Sequence, residues 1–142
     1  MSTPNSSTPA DMALIRAWAV ALLDDPSRLP ISFKLGGTAH HGIPASWEPT
    51  RREHRVDANI VQRVYEGQDP DSGLKLAVEI TIYQDFPAVE WTAWFHGGYE
   101  ETPVISDLLA LDAGFAGESP VLTHCNGDFY SAEGYAAWDE PL

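Results

Sequence analysis

Residues 124–135 read HCNGDFYSAEGY and bring Asn126, Asp128, Phe129, Tyr130 and Tyr135 into one short stretch. Flat aromatic rings beside amide and carboxylate groups suit the recognition of a polyhydroxylated ring: the rings stack on its C–H faces and the oxygens accept its hydroxyl protons. Loops carry such contacts more often than strands do. The same Asn-Gly-Asp sequence is equally an ordinary turn. Trp47, set among Gly and Pro residues and read as exposed, is a second candidate for sugar contact.

Carboxylate chemistry is harder to localise. Glycoside hydrolysis uses two carboxyl groups about 5–10 Å apart, and Asp85, Glu90, Glu100, Glu101, Asp107, Asp112 and Asp128 supply many combinations. With twelve acids after Lys75, some pair falls at that distance by chance, so no catalytic pair is assigned. His40, His41, His54, His96 and His124 show neither CxxC nor HxxxH spacing, and no metal or other cofactor is assigned. Cys125 follows His124 directly. Neighbours in a strand point to opposite faces, which argues against a His–Cys ion pair and for a plain buried thiol.

Charge restricts the partners. The net charge is −13 with only eight Lys and Arg, which argues against nucleic acid. Up to Lys75, nine acids nearly balance all eight basic residues; beyond it stand twelve acids and no Lys or Arg. Such a half repels itself unless a basic surface lies against it, either a partner subunit or more of the same polypeptide. Ordinary solubility accounts for the same excess. One cysteine allows no intrachain disulfide and fits a reducing cytoplasm. MSTPNSSTPAD does not read as a secretion signal, and MALIRAWAVALL, interrupted by Arg16, is too short for a membrane span.

The elements that must hold these residues follow from periodicity. Residues 1–10 read as a disordered leader, and Leu14, Ile15, Trp18, Ala21 and Leu22 predict a short helix from Asp11, its N-cap, to Asp24. ISFKL predicts a strand and Gly36 to Thr50 a loop. A further strand is expected over Ala58 to Tyr65, then a turn at GQDPDSG. In LKLAVEITIY the residues Leu74, Leu76, Val78, Ile80 and Ile82 share one face, and in AVEWTAWF so do Val89, Trp91, Ala93 and Phe95. Matching these faces in a hairpin sets Ile82 opposite Val89, Ile80 opposite Trp91, Val78 opposite Ala93 and Leu76 opposite Phe95. Ala77 then lies beside Trp94 on the other face, leaving room for the indole to lie flat. VISDLLAL adds a strand or a short helix, and PVLTHC a strand. The chain is therefore read as mainly β, an antiparallel β-sandwich with one short N-terminal helix, residues 11–142 forming one domain or the first part of a larger one.

The segment EWTAWFHGGYEETPVISDLLALD carries Glu90, Trp91, Trp94 and Phe95, then Glu101, Thr102, Pro103 and Ile105, then Asp107, Ala110, Leu111 and Asp112. This pattern resembles the N-terminal β-sandwich domain of bacterial α-galactosidase-like enzymes, glycoside hydrolase family 36, over roughly Leu74 to Tyr135, with PISFKLGG upstream. HGGYEE stands where an Asn-Thr-Gly type of turn is usual in that family. The resemblance implies a partial supersandwich, inactive alone, that helps shape the sugar site of a catalytic (β/α)8 barrel. Such a barrel needs about 250 residues and does not fit before Leu142, so its catalytic carboxylates have no counterparts here. The implied partners are that barrel or its equivalent and an α-galactoside-type sugar; the charge imbalance and an uncovered apolar face add a second copy of the chain as a further candidate partner. Trp94 becomes a domain-interface candidate, and Trp47 a contact with sugar or barrel. A free-standing carbohydrate-binding or interaction module of sandwich fold is the alternative.

Overall fold

A computed structural model describes residues 7–98, 101–115, 119, 121–125, 127, 130 and 132–141. The chain divides into two compact units, residues 1–112 and 113–142.

The first unit opens with helix α1, Pro9–Leu23. Thr8 is its N-cap: the Thr8 hydroxyl accepts from the Asp11 N–H at 3.2 Å, and the Asp11 carboxylate accepts from the Thr8 N–H at 2.7 Å. This reciprocal box satisfies two donors that the first turn leaves unpaired. Asp11 is thus the third helical residue rather than the cap, and Pro9 and Ala10 belong to the helix. Residues 1–6 of the expected leader lie outside the described residues. At the other end, Arg63 and Tyr65 both donate to the Leu23 carbonyl at 2.9 Å, and Tyr65 also donates to that of Asp24 at 3.0 Å. A cation and a hydroxyl therefore meet the negative end of the helix dipole.

Seven strands follow in the same unit: β1 Ser32–Leu35, β2 Thr38–His41, β3 Thr50–Arg55, β4 Ile60–Gln68, β5 Lys75–Tyr83, β6 Val89–His96 and β7 Ile105–Leu109. They form a three-stranded sheet in the order β2-β1-β7 and a four-stranded sheet in the order β3-β4-β5-β6, antiparallel throughout. The second unit pairs β8, Val121–His124, with β9, Trp138–Pro141, also antiparallel. Among the described residues the molecule is mainly β with a single α-helix, the composition of the β-sandwich read from the sequence. Among the described residues no helix is long and apolar enough to cross a membrane.

The core lies between the two sheets of the first unit. Leu74, Leu76, Val78 and Ile80 are all but inaccessible to solvent, as the alternation of LKLAVEITIY requires. Burying each such side chain contributes about 1.5–3 kcal/mol. Phe33 of β1 meets the edge of Phe95 at 5.1 Å between ring centroids and tilts against Trp47 at 6.1 Å. Helix α1 adds Ala19, Leu22 and Leu23 to the core and sets Trp18 against Trp91 at 6.2 Å. Every pair of the β5–β6 hairpin has the anticipated register, including Ala77 opposite Trp94.

Three further expectations are corrected. The Gly36–Thr50 segment is not all loop, since β2 lies inside it, and β3 begins at Thr50. Trp47 is 3% exposed. It ends a short 3-10 turn, Ala45–Trp47, packed so closely on β4 that a Cβ at Gly67 would lie 2.4 Å from Ile43 and 3.2 Å from the Trp47 Cβ. Cys125 is exposed rather than buried.

Candidate functional site

The outer face of the four-stranded sheet carries the strongest arrangement of chemically useful side chains. Its rows follow from the register. Thr50, Glu66, Ala77 and Trp94 lie side by side across the four strands, and Gln68, Lys75 and His96 form the next row. Trp94 is 50% exposed. The small Ala77 beside it leaves the neighbouring strand clear, and the indole N–H reaches across to the Glu79 carboxylate at 3.3 Å. An aromatic ring fixed in this way presents apolar surface at little entropic cost.

A cavity of about 670 Å³ opens at the end of this face and is lined by Glu48, Thr50, Glu66, Gln68, Lys75 and His96, among others. That volume falls within the range of small-molecule sites, about 300–1,000 Å³. With Ser46 and Asp69 also in the wall, three carboxylates, an amide, two hydroxyls, an ammonium and an imidazole supply both donors and acceptors for a ligand rich in hydroxyl groups. Glu66 is anchored by Arg52 at 2.8 Å. Glu48 sits at φ 49°, in the left-handed region that non-glycine residues adopt at a cost, and such strain clusters at functional sites. His96 is two residues from Trp94 along β6, so the ring and the cavity wall are about 7 Å apart along the strand.

Acid–base catalysis calls for a carboxyl whose pKa is raised. Each described carboxyl with a resolved shift moves the other way. Hydrogen bonds from the backbone and hydroxyl of Thr8 hold Asp11 below the usual range, and the hydroxyl and N–H of Ser27 do the same for Asp25. Arg51 and then Arg63 hold Glu53 low. Burial pushes Asp69 up, but bonds from Ser72 and from the Asp71 backbone outweigh it and leave the group lowered.

Other singled-out residues occupy different places. Tyr130 and Tyr135 belong to the second unit and are 86% and 60% exposed. Asn126, Asp128 and Phe129 lie outside the described residues, as does Glu100. Glu90 accepts from the Tyr83 hydroxyl at 3.1 Å, a bond that raises the Tyr83 pKa. Asp107 pairs with Lys34 at 2.7 Å. His40 stacks on Phe33 at 5.3 Å, and His124 takes the Trp138 indole N–H at 3.0 Å and faces Glu140 at 3.4 Å. Among the described residues no group of His, Cys, Asp or Glu is arranged to hold a metal ion. Sequence reasoning missed Glu48, Glu66 and Gln68. Extending the β4 alternation three residues past Tyr65 would have found the last two. Searches against known proteins match no family model, no curated protein and no solved structure.

Proposed function

We propose that this chain is a non-catalytic β-sandwich module that contacts carbohydrate through the outer face of its four-stranded sheet. The observation that carries the reading is the half-exposed Trp94 indole, opposite Ala77 and held by Glu79, near the 670 Å³ polar cavity. Stacking on the indole gives affinity, and Glu48, Glu66, Gln68 and Lys75 fix orientation through hydroxyl groups. The motif resemblance between Glu90 and Asp112 supports membership of an α-galactosidase-like glycoside hydrolase, in which this face would help to shape the sugar site of a catalytic barrel. A free-standing carbohydrate-binding module is the second reading, favoured because ring and cavity are both built from the first unit alone.

Calorimetric titration with galactose and raffinose tests the proposal. Saturable heat that disappears in Trp94→Ala and weakens in Glu66→Gln supports it. No heat above dilution, or binding unchanged in Trp94→Ala, overturns it. Turnover of an aryl α-galactoside by this chain, lost on changing one acid to its amide, would overturn the non-catalytic part.

A further inference from the structure

The four-stranded sheet ends on one side in β6, and among the described residues no strand pairs with this edge. Val89–His96 contains no Lys, Arg or Pro and no inward-pointing charge, the usual means of blunting an exposed edge, and its one acid, Glu90, lies on the outer face. The Tyr83 N–H donates to the Ala88 carbonyl at 3.3 Å, which sets the phase of the β5–β6 ladder. Trp91, Ala93 and Phe95 therefore direct their N–H and C=O groups away from β5. Among the described residues, no backbone bond outside the sheet ladders involves residues 89–96. Beside this edge runs an apolar groove of about 370 Å³ lined by Ile31, Val89, Trp91, Ala93, Ala110 and Leu111, with Glu90 as its charged group.

We infer that this edge pairs with β6 of a second copy of the chain, antiparallel about a two-fold axis at Ala93. Only registers that oppose odd-numbered residues to odd-numbered ones keep the apolar faces together and use the outward N–H groups. Centring on Ala93 gives the best complementarity among them. Trp91 faces Phe95 of the other copy, Ala93 faces Ala93, Thr92 faces Trp94, and the Glu90 carboxylate faces the His96 imidazole, which donates to it in either protonation state. Centring on Thr92 instead sets Glu90 against Trp94, whose indole N–H is already given to Glu79, so that register adds no new donor to the carboxylate. The interface is isologous, so each pair off the axis occurs twice. It extends the outer face into one surface of eight strands and brings the two Trp94 residues into a diagonal relation, about 7–8 Å apart. The inference stands independently of the carbohydrate reading, because one is read out as mass and the other as sugar heat.

Sedimentation equilibrium across a concentration series tests it. The wild-type chain should approach the mass of two chains as concentration rises, and Ala93→Arg, which puts two like charges on the axis, should sediment as one chain. Register is tested by exchange of charge. His96→Glu should weaken association about tenfold, since two attractive pairs become repulsive, and Glu90→Lys combined with His96→Glu should restore it. Far-ultraviolet circular dichroism checks that each variant folds. A wild-type chain that stays a monomer at every concentration overturns the inference, as does a dimer indifferent to both Ala93→Arg and His96→Glu.

Discussion

The two edges of the four-stranded sheet are opposites. At β3, Thr50–Arg55, all six residues are exposed, and the face turned toward the sandwich interior carries Arg51, Glu53 and Arg55. Arg51 and Arg63 converge on Glu53 at 2.8 and 2.7 Å, and Arg63 continues to Asp24 at 2.6 Å, closing that end of the sandwich with a charged network. At β6 the inward face is Val89, Trp91, Ala93 and Phe95, all half-buried, with one acid and one imidazole along the whole strand. Inward-pointing charge is a device against edge-to-edge pairing, and an apolar edge invites it. One edge of this sheet is therefore finished within the chain and the other is built to be covered.

The largest expected effect tests the finished edge. Arg63 is 8% exposed and donates to two carboxylates and a helix-terminal carbonyl, so Arg63→Met should cost about 3 kcal/mol in urea denaturation. A cost below about 1 kcal/mol would make that network ornamental and erase the contrast. Next, Trp91→Ala removes a half-buried indole that packs on Trp18 and donates to the Ala110 carbonyl at 2.9 Å. A loss of about 2 kcal/mol is expected, together with loss of association.

A pH titration sharpens the picture further. Glu53 is held below its ordinary value near 4.5 by Arg51 and Arg63. Its contribution is therefore fully present above that pH and fades as pH falls through the depressed folded value. Wild-type stability should decline on acidification below that point, and Arg63→Met should flatten the decline; parallel curves would contradict the assignment. Smallest of all, Trp94→Ala should change stability by no more than about 0.5 kcal/mol while removing sugar heat. A larger change would mean that the indole serves the fold rather than a ligand.

The same contrast explains what could be read from the chain. The β5–β6 register was legible because strict alternation on both strands admits only one way of joining the apolar faces. β3 was not: TRREHR has no apolar period, and the strand is held by its backbone ladder to β4 and by ion pairs with residues distant in sequence. β2 and β9 were missed for a similar reason, as TAHH and WDEP carry no alternation that marks a buried face. Trp47 was misjudged because Gly and Pro neighbours suggest an exposed loop, whereas Gly67, far along the chain, provides the space that buries it. At the site, Trp94 and its relation to Ala77 were readable. The cavity was not, because it needs Glu48 and Thr50 brought to β4 by a turn without a sequence period.

Amide hydrogen exchange, followed by mass spectrometry on peptides covering residues 50–55 and 89–96 at low and high protein concentration, puts the central claim to its most direct test. Protection in 89–96 that rises with concentration, while 50–55 stays constant, is the predicted result. Equal behaviour of the two edges at every concentration would contradict the account.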